Sequence, residues 1–157
     1  MKRRTFLLIS LLSSYSFATQ KTYSDELKAI KASLEHMFPN SSKYNGAKTF
    51  DGFKYLQNIS KHKSFDKSDM EFLIFGATKL LKYDRNFPVV SKNRKEKLLR
   101  KFENTDIGAN WLSLLMYYGF EAMLSDPIYG GNKNMSGWKN IKHTPPIPMA
   151  KVKYARV

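Results

Sequence analysis

Residues 67–81 read KSDMEFLIFGATKLL, and their apolar residues recur with the spacing of one face of an α-helix. That face consists of Met70, Leu73, Ile74, Ala77, Leu80 and Leu81. Ser68 and Glu71 precede most of this run with the spacing of a capping box, in which each side chain bonds the other residue's backbone N–H. The stretch therefore predicts an amphipathic helix that begins at Ser68 and packs its apolar face into a core.

Four further segments show the same kind of helical pattern. Their apolar positions are Leu27, Ile30, Leu34 and Met37; Phe50, Phe53, Leu56 and Ile59; Leu98, Leu99 and Phe102; and Trp111, Leu114, Leu115, Tyr118 and Ala122. Ser24, Ser91 and Thr105 can cap three of these helices, and Pro39 terminates the first one before a polar turn at 40–48. No run of alternating β-branched residues and no internal repeat is present. The sequence predicts an all-α fold, a compact bundle of about five helices with an irregular Gly/Pro-rich loop and tail over 126–157.

The first 18 residues have the layout of an export signal. A basic start runs into an apolar stretch from Phe6 to Phe17, which is too short to span a bilayer of roughly 30 Å. The residues that resemble a twin-arginine signal are Arg3, Arg4, Phe6 and Leu7. Small residues at Ser16 and Ala18 predict cleavage after Ala18, with an ordinary secretory signal or an uncleaved anchor as the alternatives. Residues 19–157 then form one helical domain.

Composition narrows the classes of function. The net charge is +14, of which residues 1–18 supply +3 and residues 19–157 the remaining +11. In an exported chain this charge points to an anionic membrane surface or an acidic partner rather than to nucleic acid. The chain has no cysteine, which excludes covalent haem attachment through Cys-x-x-Cys-His, cysteine-ligated iron–sulfur clusters and a thiol nucleophile.

The residues that could carry chemistry are few and scattered. His36, His62 and His143 have no partner at metal-ligand spacing, so we expect surface or capping histidines. Asp66 and Asp69 flank a helix start, where capping explains their carboxylates. No Gly-x-Gly-x-x-Gly motif follows a strand, so no dinucleotide site is predicted. The sequence thus predicts no catalytic, cofactor-binding or metal site in this chain.

The predicted fourth helix is strongly basic. Its basic residues are Lys92, Arg94, Lys95, Lys97, Arg100 and Lys101. Two interpretations are open, a solvated face and a face that docks on an acidic partner.

The densest cluster of unusual residues follows the predicted fifth helix. Residues 126–132 read DPIYGGN, and Gly137-Trp138 follows shortly after. Pro127 biases Asp126 towards an extended backbone, while Gly130, Gly131 and Asn132 tolerate positive φ angles. Tyr129 and Trp138 can bury their rings and still offer one polar group each. Two interpretations are open, a loop that docks on another protein and a rigid loop that closes the bundle.

This cluster resembles the signature of the gluconate 2-dehydrogenase subunit 3 family. The matching residues are Asp126, Pro127, Tyr129, Gly130, Gly131, Asn132, Gly137 and Trp138. As in that family, the signature follows an aromatic, Gly-containing helix end at residues 119–125. The specific likeness covers residues 119–138. Family members then continue into a Gly-aromatic-Pro-Gly segment, where this chain has IKHTPP at 141–146.

The resemblance implies a non-catalytic small subunit with no cofactor of its own. Its partner would be a flavoprotein large subunit of the glucose-methanol-choline type, which holds FAD and oxidises a sugar or sugar acid. A cytochrome c subunit carrying haem c often takes the electrons onward. The small subunit would bring the folded large subunit to the twin-arginine translocase and stay with it in the periplasm, associated with the inner membrane through the complex. The alternative is a stand-alone exported basic protein that binds anionic membrane or cell-wall polymer.

Overall fold

Six α-helices form the fold of residues 23–145, the part of the chain that the computed structural model describes, and this part contains no β-strand. The helices are α1 Ser24–Met37, α2 Gly52–Ile59, α3 Lys67–Leu81, α4 Lys92–Glu103, α5 Asp106–Leu124 and α6 Ser136–Asn140. Three single-turn 3₁₀ helices span Phe87–Val89, Pro127–Tyr129 and Lys133–Met135. The all-α prediction and its five helices are confirmed. The sixth helix lies within the segment predicted to be irregular.

Two predicted segments lie outside the described residues. The first is the export signal, with Arg3, Arg4, Phe6, Leu7 and the cleavage position after Ala18. The second is the tail from residue 146 to 157.

Helix α5 is the centre of the bundle, because it packs against each of the other five α-helices. Helix α1 lies along α3, and both contact α5. Trp111 of α5 is fully buried, and its indole Nε1–H donates a hydrogen bond to the carbonyl oxygen of Leu73 at 2.8 Å. Its ring meets the ring of Phe102 edge-on, with 5.7 Å between centroids. These contacts join α3, α4 and α5 around one core.

The helix starts show which capping predictions were right. The hydroxyls of Ser91 and Thr105 accept backbone N–H bonds at the starts of α4 and α5, as predicted. The predicted capping box between Ser68 and Glu71 is wrong. Asp66 is the N-cap of α3, and its carboxylate accepts the N–H of Ser68 at 2.9 Å, so this hydroxyl residue is already inside the first turn.

The first helix also starts one residue earlier than predicted, at the residue that was expected to cap it. Ser24 is the first residue of α1, and Tyr23 occupies the cap position without a side-chain capping bond. Helix α1 ends at Met37, two residues before Pro39, as its pattern predicted.

The basic helix α4 has the orientation that its pattern predicted. Leu98, Leu99 and Phe102 are buried, and most of its basic side chains are exposed to solvent. His36 of α1 differs from the expectation, because its side chain is buried and bonds the Glu96 carboxylate at 2.7 Å. That bond, together with Arg100, lowers the pKa of Glu96. His36 thus joins α1 to α4. This contact between residues far apart in sequence cannot be predicted from local spacing.

Candidate functional site

The loop after α5 turns back sharply and packs against the helix it has just left. Asp126 is extended, as Pro127 predicted, and its carboxylate accepts the N–H of Ile128 at 2.9 Å. This bond starts the 3₁₀ turn Pro127–Tyr129, where the carbonyl of Pro127 accepts the N–H of Gly130. The Asp-Pro pair therefore ends the helix and begins a defined turn.

The glycines of the loop serve two different needs. Gly130 has φ +89°, a left-handed conformation that L side chains rarely adopt. Gly131 can also tolerate positive φ, but it does not adopt that conformation. It is needed because of close approach, since a Cβ there would lie 2.6 Å from the carbonyl oxygen of Ala122. Gly137 has the same constraint, since its Cβ would lie 2.0 Å from the carbonyl oxygen of Met123.

Asn132 is the central polar residue of the loop. It is fully buried and has φ +45°, the left-handed conformation that asparagine tolerates. Its amide Nδ2 donates to the carbonyl oxygen of Ser125 at 2.9 Å. Its Oδ1 accepts the N–H of Gly137 at 2.8 Å and that of Trp138 at 3.3 Å. One side chain thus ties the end of α5 to the start of α6.

Trp138 closes the same connection from the other side. Its indole is 7% exposed, and Nε1–H donates to the carbonyl oxygen of Leu124 at 2.8 Å. The last carbonyl groups of a helix lack partners within the helix, so this bond satisfies one of them. The ring of His143 stacks edge-on against the indole at 5.0 Å. The polar group of Trp138 is therefore engaged inside the chain and is not offered to a partner.

A second set of hydrogen bonds involves two asparagines, Asn45 and Asn140, that the sequence pattern did not single out. The N–H of Asn45 donates to Oδ1 of Asn140 at 2.8 Å, and Nδ2 of Asn140 donates to the carbonyl of Asn45 at 2.9 Å. Asn45 also donates from Nδ2 to the carbonyl of Ser136 at 3.0 Å. These bonds fasten the turn between α1 and α2 onto α6. Their only local sign was the Asn45-Gly46 turn pair.

Tyr129 connects the loop to α2. It is partly buried against the core, and its carbonyl oxygen accepts the side-chain amide of Asn58 at 3.2 Å. Tyr55, on the same helix, lies close enough to the Glu121 carboxyl of α5 for the two groups to affect each other's pKa. Burial raises the pKa of Glu121, and burial together with this neighbour raises the pKa of Tyr55. Helix α2 thus contacts both the loop and α5.

The signature residues therefore lie together, and most of their polar groups bond to the chain itself. This geometry agrees with the interpretation of a loop that closes the bundle. Docking by these residues stays a prediction, and it would have to use those that remain partly accessible, among them Asp126, Pro127, Tyr129 and Gly130.

An exposed apolar face lies on α5, directly before this loop. It consists of Met116, Tyr117, Phe120 and Leu124, which are between 44 and 59% exposed. Their spacing places them on the side of α5 opposite the buried Trp111, Leu115, Tyr118 and Ala122. We call these four residues the α5 stripe. The sequence pattern did not single out this surface, although four large apolar residues off the core face are a visible signal.

Residues of the core support the α5 stripe on its inner side. The ring of Phe120 meets that of Phe38 edge-on at 5.2 Å. Tyr118, on the buried side, donates its hydroxyl to the Asp69 carboxylate at 2.5 Å. Burial and this carboxylate raise the pKa of Tyr118. Phe120 is thus supported by Phe38, and the carbonyl group of Leu124, at the C-terminal end of the stripe, is bonded by Trp138.

Two further kinds of feature are absent from the described part of the chain. Residues 23–145 contain no group of three or more His, Asp or Glu side chains that could hold a metal ion. Among these residues no helix has the length and apolar character needed to cross a membrane. No family model, curated protein or solved structure matches the chain.

Proposed function

We propose that this chain is the non-catalytic small subunit of a periplasmic flavin-dependent dehydrogenase that oxidises a sugar or sugar acid. In this role it binds a large subunit of the glucose-methanol-choline type, which carries FAD, and accompanies it through the twin-arginine translocase. A cytochrome c subunit with haem c is a further partner in such complexes. The proposal rests on the family resemblance of residues 119–138 and on the leader-like residues 1–18.

The α5 stripe is the observation that favours a docking role over a purely structural one. Large apolar side chains exposed side by side on a rigid helix are typical of surfaces that bind another protein. Phe120 and Leu124 of the stripe lie within the segment that carries the resemblance, and the signature loop holds the C-terminal end of the stripe in place. The loop and the stripe then have separate tasks, because the loop fixes the helix and the helix contacts the flavoprotein.

Co-export gives a physical reason for such a surface. A flavoprotein that acquires FAD before export must cross the membrane folded, and the twin-arginine route accepts folded cargo. A large subunit without a signal of its own would need a partner that binds it tightly before transport. A preorganised surface suits that task, because little conformational entropy is lost when it binds.

The test is to express a flavoprotein of this class from the same genome with and without this chain. We expect dye-linked sugar dehydrogenase activity in the periplasm only when both are present. A chain with Arg3→Lys and Arg4→Lys should leave the active holoenzyme in the cytoplasm, since it keeps the charge and loses the arginine pair. Full periplasmic activity in the absence of this chain would contradict the proposal.

A further inference from the structure

A basic surface forms where the end of α3 and the following turn lie beside α4. Its residues are Lys79, Lys82, Arg85, Arg94, Lys97 and Lys101, and we call this set the basic surface. Two contacts define it. Arg94 bonds the Asp84 carboxylate at 3.3 Å, and Nζ of Lys101 lies 5.0 Å from the ring centroid of Tyr83. Lys97 lies between these two contacts on the same face of α4.

Few carboxylates offset this charge. Residues 79–103 contain nine basic residues and three acidic ones. Asp84 is engaged by Arg94, while Glu96 and Glu103 pair with Arg100. The Asp84 side chain is only 18% exposed, so solvent meets mainly the basic groups. Within the described residues, no ion pair is formed by Lys82, Arg85 or Lys97.

Apolar groups lie among the charges. Phe75, Lys79 and Tyr83 follow one another at four-residue intervals, and Nζ of Lys79 lies 4.8 Å from the ring centroid of Phe75. Both rings are partly exposed. Val89, in the connection that leads to α4, is 82% exposed, the largest fraction of any large apolar side chain in the described residues. The region therefore combines long cationic side chains with exposed aromatic and aliphatic ones.

We propose that the basic surface binds the headgroup layer of a bilayer that contains anionic lipid. The lysine and arginine charges are attracted to the lipid phosphates, each worth about 1 kcal/mol close to such a surface. Phe75, Tyr83 and Val89 reach the boundary between headgroups and acyl chains, where partly polar aromatic residues are favoured. The chain thereby contacts the membrane through its own residues.

A bilayer fits these residues better than other polyanions do. Four of the six are lysines, whose mobile point charges suit a fluid layer of headgroups and do not require fixed partner positions. Nucleic acid that is bound without sequence preference is commonly held by open aromatic faces on which bases stack. Here the ammonium groups of Lys79 and Lys101 lie over the rings of Phe75 and Tyr83. A face of each ring is therefore already covered by an ammonium group, which does not favour the stacking of a base.

The inference does not depend on the proposed function, since the basic surface and the α5 stripe share no residue. The test uses the purified full chain and vesicles of phosphatidylcholine, with or without 30% phosphatidylglycerol, over a series of salt concentrations. The test variant combines Lys82→Gln, Arg85→Gln and Lys97→Gln. The matched control combines Lys61→Gln, Lys63→Gln and Lys67→Gln, which removes the same charge about 22 Å away at the other end of α3.

We expect binding to phosphatidylglycerol vesicles that weakens as salt is added, and little binding to phosphatidylcholine alone. The test variant should lose roughly a hundredfold in affinity, about fivefold for each charge removed. The control variant should lose less than about fivefold in affinity, since its charges lie about 22 Å away, which is well beyond the Debye length at physiological salt. All proteins carry the same residues 1–18, so any contribution of the leader cancels. Equal losses in the two variants, or equal binding to both vesicles, would overturn the proposal.

A second measurement reports where the surface sits. Val89→Trp places an indole at this exposed position, while Trp111 and Trp138 stay buried. Its emission should shift to the blue with phosphatidylglycerol vesicles and remain unchanged with poly-glutamate or duplex DNA at the same ionic strength. If either polymer binds more tightly than the vesicles and the test variant abolishes that binding, the surface serves an acidic macromolecule and the proposal is wrong.

Discussion

The indole Nε1–H of Trp138 donates a 2.8 Å hydrogen bond to the carbonyl oxygen of Leu124, the last residue of α5. One residue of the loop signature is thereby joined to one residue of the α5 stripe. The bond connects an internal, fold-closing loop to the exposed surface that we propose as the docking face. Substitutions in the loop should therefore lower the stability of the fold, whereas substitutions in the stripe should weaken binding to the flavoprotein.

The first prediction concerns Trp138 itself. Trp138→Phe keeps most of the ring but leaves the Leu124 carbonyl without this donor, so we expect a loss of about 1 kcal/mol in the free energy of unfolding. Trp138→Ala removes a buried side chain and should cost about 3–5 kcal/mol. Urea denaturation followed by far-UV circular dichroism measures both. Equal stability of the two variants would mean that the indole is not packed as described.

The second prediction separates the buried amide of Asn132 from its backbone conformation. Asn132→Ala leaves the N–H of Gly137 and the carbonyl of Ser125 unpaired, and we expect a loss of about 2–4 kcal/mol. Asn134→Ala is the matched control, because Asn134 also has positive φ but is exposed. It should cost about 1 kcal/mol. Thermal unfolding compares the two, and similar losses would show that conformation alone matters at residue 132.

The third prediction concerns docking by the α5 stripe. The pair Tyr117→Ser and Leu124→Ser removes two exposed apolar side chains and should change the free energy of unfolding by less than about 1 kcal/mol. We expect the variant to lose co-purification with the flavoprotein, since apolar contacts at the centre of an interface dominate its affinity. Val89→Ser, an exposed apolar residue elsewhere, is the control and should co-purify normally. Normal capture of the flavoprotein by the folded stripe variant would rule out this face.

The fourth prediction is a pH dependence due to Glu121. Burial raises its pKa above the ordinary value of 4.5, so the folded state holds this proton more tightly than the unfolded state does. Its contribution to stability is full below pH 4.5 and is lost as the pH rises through the raised pKa. Glu121→Gln cannot ionise and should gain stability relative to the native chain as the pH increases.

Denaturation at several pH values between 4 and 8 measures that difference. Glu71→Gln, on the exposed side of α3, removes the same charge and is the control. A gap between Glu121→Gln and the native chain that shrinks with rising pH would contradict the assignment.

Local sequence predicted much of the fold because helical periodicity and hydroxyl caps act over a few residues. Ser91 and Thr105 show this for caps, and Leu98, Leu99 and Phe102 show it for a buried face. The capping box at Ser68 failed because Asp66 offered a competing carboxylate two residues earlier. Asp66 and Ser68 could both cap α3. Which of them does so depends on where the packed helix begins.

The candidate site was predicted in part. The left-handed conformations of Gly130 and Asn132 follow from the residue types themselves. The close approach of Gly131 to Ala122 and the pairing of Asn45 with Asn140 could not be foreseen, because each joins segments that meet only after folding. The pair formed by the buried side chain of His36 and the exposed carboxylate of Glu96 has the same origin.

By itself, the sequence determined the all-α class, the five main helices and the turn residues of the loop, because these depend on periodicity and on backbone preferences of single residues. Tertiary structure decided which groups face inward. It buried Asn132 and Trp138 against the end of α5 and left Met116, Tyr117, Phe120 and Leu124 exposed. The physical reason is that α5 carries apolar residues on more than one side. Only the side that neighbouring helices cover is buried, and packing between distant segments decides which side that is.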